Sequence, residues 1–244
     1  MKIVTVQPLA GLADIGKQHV RRLIFPLMLG LVGAAVLIGL GVWQLQRLDW
    51  KTAKLAQIEA KIASAPVDLP PSVSEANDIY LPVVVQGHLA GREALVLTGL
   101  NQAGPGYRVI VAFDVAGGSR RIMVDLGFVA EADRDFARPT GEMIIAGNLN
   151  WPAEKDSYTP EPDLKSNIWF ARDVGRMADA LGTEPVLVVA KDINPGIPAI
   201  SPLPVDTSSI PNDHLNYAIT WFSLTAVWLG MTALLVWRIR RRTV

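Results

Sequence analysis

The chain has no cysteine among its 244 residues. That excludes disulfides, thiolate zinc sites, iron–sulfur clusters and covalent haem attachment through Cys-x-x-Cys-His. Histidine is nearly as scarce: there are three, His19, His88 and His214. A hydrolytic His-Asp-Ser set would need His88 or His214, and nothing local supports either. His88, at the end of a predicted strand, reads as an ordinary surface residue. His-Glu-x-x-His, Gly-x-Ser-x-Gly and Walker segments are all missing. Gly104-Pro105-Gly106 reads as a turn, since no third glycine and helix follow it. Asp133, Asp135, Glu154 and Glu161 scatter along loops and read as solvated. Net charge is absent too, with 23 Lys and Arg against 23 Asp and Glu. The basic residues gather toward the two ends, leaving a mildly acidic middle with no nucleic-acid footprint. There is no internal repeat and no low-complexity segment. An enzyme is hard to build from this inventory.

What the chain does have is two long apolar runs. Leu23 to Val42 and Ala218 to Trp237 are each about 20 residues without charge, enough to span a bilayer at ~1.5 Å per residue. Pro26 falls in the first turn of the first run, where a missing amide hydrogen does little harm. Lys17, Arg21 and Arg22 precede that run as in a signal peptide. But it is too long, and Trp43-Gln44-Leu45-Gln46-Arg47 follows instead of a small-residue cleavage site, so it reads as an uncleaved anchor. Small-residue spacings Gly30–Ala34, Ala35–Gly39 and Ala226–Gly230 are expected to let the two helices pack closely. Asn216 and Thr220 are placed to join them by hydrogen bonds.

Lysine and arginine set the expected orientation. Arg238, Arg240, Arg241 and Arg242 follow the second run, whereas Pro211 to Tyr217 has neither residue, which places the C-terminus in the cytoplasm. With two spans the N-terminal tail (1–22) shares that side with the basic tail 238–244. Residues 43–217 then lie outside. The N-terminal tail lacks presequence character, so a bacterial inner membrane with a periplasmic domain is the expectation.

That external part is long enough for one domain. Trp43 to Ile62 continues the first helix outward, with Leu48, Leu55, Ile58 and Ile62 on one face, until Pro66, Pro70 and Pro71 end it. Strands are predicted at Tyr80–Leu89, Ala94–Thr98, Tyr107–Val115, Arg120–Val129, Met143–Leu149 and Pro185–Lys191. Ala116-Gly117-Gly118-Ser119 reads as a hairpin turn. A helix is expected over Asp173 to Leu181, stopped by Gly182. Asp192 to Pro211 is proline-rich and reads as an extended lead-in. The fold class is therefore two transmembrane helices flanking an external α+β domain, with a mostly antiparallel sheet that can close as a barrel.

One histidine stands out. His214, Tyr217 and Trp221 are i, i+3 and i+7, on one side of the second helix where it meets water. An imidazole there is a good axial ligand for haem iron. The same residues also fit a plain aromatic belt, since Tyr and Trp gather at bilayer interfaces. Arg47 and Lys51, just off the first helix, suit propionates as charge-assisted donors or headgroups as snorkelling cations. Trp43 and Trp221 are placed to flank a ring.

The segment Gly41-Val42-Trp43-Gln44-Leu45-Gln46-Arg47-Leu48-Asp49-Trp50-Lys51 resembles the opening signature of the surfeit-locus (Surf/Shy) family of cytochrome c oxidase assembly factors. The likeness continues in order through Gly106-Tyr107-Arg108-Val109, Val124-Asp125-Leu126-Gly127-Phe128-Val129 and Ile168-Trp169-Phe170-Ala171-Arg172-Asp173 with Met177-Ala178. It closes with Asn212-Asp213-His214-Leu215-Asn216-Tyr217-Ala218-Ile219-Thr220-Trp221. The first and last motifs are the specific ones.

The resemblance implies an assembly factor, not an enzyme, that binds haem a and helps place it in the oxidase catalytic subunit, with a haem a synthase as a further partner. It implies His214 as the haem-iron ligand and matches Trp43, Gln44 and Arg47 to the first motif. With Lys51, Tyr217 and Trp221 these make up the candidate haem site. The alternative is a haem-independent scaffold that stabilises an oxidase subunit. An external enzyme or sensor is a third class, of which the two-helix sensor is expected to fail for want of a cytoplasmic output domain before Val244. Two positions depart from the family pattern. Leu126 stands where an arginine is common, and Pro211 stands where a basic residue is common. His214→Ala is expected to remove haem bands without destabilising the fold, because an interface histidine has little buried area to lose.

Overall fold

The computed structural model describes residues 10–100, 104–208 and 210–241. It forms two compact units: the chain's ends, up to Lys54 and from Ile210, and the stretch Leu55–Ser209.

The first unit is built from two helices, α1 (Ala10–Ile62, whose last turns belong to the second unit) and α4 (His214–Arg241). Both are long and apolar enough to cross a membrane, and only 11% and 6% of their most apolar windows is buried in the chain. A core helix of a soluble protein would be mostly covered, so this apolar surface needs another solvent. α1 starts well before Leu23, which puts Pro26 inside the helix and not in its first turn. The missing donor is tolerated because one lost intrahelical bond does not break a long apolar helix.

A narrow seam joins the two helices. α1 buries Gly30, Ala34, Gly41 and Gln44; α4 buries Ala218 and Thr225, with Trp221, Trp228 and Thr232 half-buried between and beyond them. The α4 positions alternate three and four apart and those of α1 fall four, seven and three apart, spacings that keep one stripe facing a partner. Glycine is required here by contact. A Cβ on Gly30 would come 2.3 Å from Thr232, and one on Gly33 would come 2.5 Å from the Trp228 indole. Trp228 Nε1 uses that proximity to donate to the Gly30 carbonyl at 3.0 Å.

Two expectations about this seam need correction. Ala35 and Ala226 are exposed, and a Cβ on Gly39 or Gly230 would meet nothing within 4 Å, so those two small-residue pairs face away. Only the stripe carrying Gly30 and Ala34 packs. Thr220 Oγ1 donates to the Asn216 carbonyl of its own helix at 2.8 Å, a local bond that competes with any bond across to α1.

The second unit contains β1 (Val67–Asp68), α2 (Glu75–Asp78), β2 (Pro82–Leu100), β3 (Gly104–Val115), β4 (Arg121–Ala130), β5 (Met143–Leu149), β6 (Ile168–Trp169), α3 (Val174–Leu181) and β7 (Leu187–Asn194). The order β2-β3-β4-β7-β5 closes on itself through β2–β5 pairing, which makes a five-stranded barrel. Pairing is antiparallel except between β4 and β7, and β1 and β6 add short parallel ladders to β2. Closure removes the free edges a sheet this small would otherwise expose.

Alternation decides the two faces. Val109, Val111, Phe113, Ile122, Val124, Met143 and Ile145 fill the barrel. Ile110, Ala112, Met123 and Val189 point outward beneath α3, whose Val174, Met177, Ala178 and Leu181 form the covering stripe. The Asp173 side chain caps that helix by accepting from the Arg176 amide, and Gly182 ends it at φ +70°.

Two predicted strands, Tyr80–Leu89 and Ala94–Thr98, turn out to be one. β2 runs through both, with a bulge between Leu89 and Glu93 where Gly91 takes φ +75°. Glycine marks a break in sequence but only a kink in the ladder. Likewise Gly104-Pro105-Gly106 is not the turn but the start of β3, with Pro105 opposite Gly99 and Gly106 opposite Thr98. The predicted hairpin turn at 116–119 does form, closed by Val115 N–H to the Arg120 carbonyl at 3.0 Å. β7 runs on to Asn194, so the extended lead-in starts later than Asp192.

Candidate functional site

His214 opens α4, and Gln44 lies on the buried stripe of α1. His214 Nδ1 and Gln44 Oε1 are 2.8 Å apart. An amide oxygen only accepts, so Nδ1 carries the proton and donates. The lone pair is then on Nε2. This is the arrangement by which proteins orient a ligating imidazole: one ring nitrogen is held by a neighbour and the other is presented to a metal. Gln44 is 8% exposed. Burial of an amide in an apolar seam demands a hydrogen bond, and His214 supplies it.

The other predicted site residues sit around this pair unequally. Trp221 is half-buried two turns along from His214, and Lys51 is half-buried two turns along from Gln44. Arg47 is exposed, its guanidinium stacked 4.7 Å from the Trp50 ring centroid. Tyr217 and Trp43 are 56% and 51% exposed, so neither is drawn in against the imidazole. The structure thus brings together His214 and Gln44, sets Trp221 and Lys51 each about 10 Å further along their helices, and leaves Tyr217, Trp43 and Arg47 outward.

The donor set fits a haem better than a bare ion. No group of three or more His, Cys, Asp or Glu side chains able to hold a metal occurs among the described residues. A single neutral imidazole is too little for a free cation but enough for an iron already held by four porphyrin nitrogens. His214 could hold such an iron through Nε2, whereas Arg47 is turned outward onto Trp50.

In the barrel unit, three motifs of the sequence meet at a second cluster. Asp125 is wholly buried in β4; its Oδ2 accepts from Arg108 Nε at 2.8 Å and from Arg172 Nη1 at 3.2 Å. Its Oδ1 accepts from the Gly127 amide at 3.1 Å. Arg108 continues to the Leu203 carbonyl at 2.9 Å, and Arg172 Nε donates to Glu154 at 3.0 Å. Burial pushes the Glu154 carboxyl up, but the hydrogen bonds and charge of Arg172 outweigh it and hold the group below the usual range. Two cations and two carboxylates cancel, so the cluster has no surplus charge with which to attract a ligand. It ties β3, β4, the segment before α3 and the strap through Leu203 into one piece.

The sequence reading missed this cluster. Glu154 is not simply solvated: it is paired with Arg172. The available signal was Asp125 itself, a carboxylate inside the apolar run Ile122 to Leu126, where a charge is stable only if paired. Leu126, one of the two departures from the family pattern, is fully buried in the barrel core at the β3–β4 bulge.

The chain thus combines a five-stranded barrel unit with two helices that are long and apolar enough to cross a membrane and that meet at a histidine. Comparison with known sequences narrows this. The sequence profile of the SURF1 family matches residues 31–226. Surfeit locus protein 1 of Rattus norvegicus is 29% identical over 79% of this chain and 69% of its own length. A SURF1-like protein of Monosiga brevicollis is 31% identical, covering 80% and 82%. A SURF1-like protein of the bacterium Rickettsia bellii is 28% identical over 88% and 90%. The chain belongs to the SURF1 family, known as cytochrome oxidase assembly factors.

Proposed function

We propose that this protein holds haem a at His214 and assists its insertion into the catalytic subunit of cytochrome c oxidase, acting as a chaperone and not as an enzyme. The hydrogen bond from His214 to Gln44 carries the reading, because it fixes the tautomer that leaves Nε2 free for iron. Arg47 and Lys51 supply cations for the propionates. The exposed, apolar helix flanks suit a farnesyl tail. A single imidazole with Tyr217 and Trp43 turned outward makes an open site, and an open site suits a group that is passed on. A haem a synthase is the partner that this chemistry requires upstream. Arg238, Arg240, Arg241 and Arg242 support a cytoplasmic C-terminus, with residues 43–217 in the periplasm of a bacterial inner membrane.

The full chain, purified from cells with and without haem a synthesis, tests the reading. A Soret band should accompany the protein only when haem a is made, and His214→Ala should abolish or shift it. Oxidase activity should fall in that variant while the oxidase subunits are still produced. An unchanged spectrum in His214→Ala at normal abundance would leave the scaffold alternative in possession. A tag after Val244 should be cytoplasmic, and protease reaching Pro160 from the cytoplasmic side would reverse the orientation.

A further inference from the structure

At the end of the helix pair remote from His214, a groove of about 420 Å³ opens between α1 and α4. Leu27 and Leu31 wall one side and Ala233 the other, with Trp237 and Arg240 at its end. The groove reaches to Gly30 and Thr232 of the packed seam. Its volume is that of a small-ligand site, and its walls are hydrocarbon. Arg238, Arg240 and Arg241 fall in the last turn of α4. The Arg241 guanidinium lies 4.0 Å from the Trp237 ring centroid, so an aromatic and a cation are stacked beside the groove's end.

We propose that this groove binds one anionic phospholipid, its acyl chain along Leu27, Leu31 and Ala233 and its phosphate against Arg240. The inference rests on α1 and α4 spanning a bilayer and is independent of haem binding. In a bilayer a groove of this depth is open to acyl chains, and one lying along it reaches Arg240 at headgroup level. The arginines then choose among lipids. Every phospholipid offers the same tail, but only an anionic one gains from the arginine that lines the groove, and basic pockets between membrane helices recognise such headgroups. A tryptophan at headgroup level fixes the depth.

Native mass spectrometry of the full chain, released from nanodiscs of phosphatidylglycerol and phosphatidylcholine in equal parts, tests this. One phosphatidylglycerol should stay bound in preference to phosphatidylcholine. Arg240→Gln should cut that preference by about fivefold, the factor one arginine supplies near an anionic surface. Ala233→Trp, which fills the groove, should remove retention of both lipids, and Leu31→Trp does the same from the opposite wall should the first variant fold poorly. Equal retention of the two lipids by the unaltered protein, or undiminished retention in the filled-groove variants with helix content intact, would overturn the proposal.

Discussion

Asp125→Asn removes one negative charge from the barrel wall without changing the side chain's shape. Arg108 Nε, 2.8 Å from Oδ2, would then face an amide. Asp125 is wholly buried and the arginine side chains are 16% and 12% exposed, so water can do little to compensate. Breaking a buried ion pair costs about 3–5 kcal/mol. Arg172 keeps its bonds to Glu154, so the loss falls mainly on Arg108, and the lower half of that range applies. In a unit of this size each kcal/mol moves Tm by about 2–4 °C, which gives a drop of roughly 6–16 °C. The assay is thermal unfolding of the full chain in detergent, followed by near-ultraviolet circular dichroism. The control is Arg176→Gln, which breaks a pair with Glu161 whose side chains are 41% and 74% exposed. Such a pair is worth about 0–1 kcal/mol. If Asp125→Asn falls no further than this control, the cluster does not hold the unit together.

The Glu154 carboxyl is held below its ordinary range in the fold, so its stabilising share is complete above the unfolded value of about 4.3 and is lost as pH falls beneath it. Between about pH 5 and 3 the unaltered chain should therefore lose more Tm than Glu154→Gln, and parallel acid curves would contradict the pairing. Gly127 combines φ +115° with a Cβ position 2.2 Å from the Ser201 carbonyl oxygen. Gly127→Ala should cost about 1–3 kcal/mol or more, whereas Gly118→Ala, with its nearest contact at 4.0 Å, should be near neutral. Gly33→Leu, which drives a side chain into the Trp228 indole where a Cβ alone would come to 2.5 Å, should cost about 1–3 kcal/mol of thermal stability in detergent. Gly39→Leu, at a position where a Cβ would meet nothing within 4 Å, should be near neutral, and an equal loss in both variants would show that the seam does not depend on glycine.

Elements with a strong local period were readable from the sequence: both long helices, α3 with its Asp173 cap and Gly182 stop, and most barrel strands. Glycine misled where it bends a ladder without ending it. Gly91 sits in a bulge inside β2 and Gly104 is the first residue of β3, opposite Leu100, because the β2–β3 ladder extends that far. The small-residue stripes misled for another reason. Spacing says which small residues share a helix face, but not which face meets the partner, and only the Gly30–Ala34 face does. The barrel's closure was not readable as a fact, only as a form the strands allow, because β2–β5 and β4–β7 are contacts between distant segments.

The same limit governs the histidine, and it changes what His214→Ala must mean. His214 and Gln44 are 170 residues apart, so no local pattern announces the pair. The one local clue is that Gln44 falls on the stripe of Gly30, Ala34 and Gly41, where an amide needs a partner inside the seam. The expectation that His214→Ala is silent for stability, because an interface ring has little area to lose, therefore fails on hydrogen bonding. It orphans a buried amide, at a cost of about 1–3 kcal/mol. A weaker haem band in that variant would then mix ligand loss with loosened packing. Gln44→Leu with His214→Ala separates the two, since an apolar leucine in the seam leaves no unpaired group. If the His214→Ala protein is less stable than the double variant and both lack the haem band, the ring is both ligand and seam partner. If Gln44→Leu alone keeps a full and unshifted band, the amide does not orient the imidazole, and the tautomer argument for iron at Nε2 falls with it.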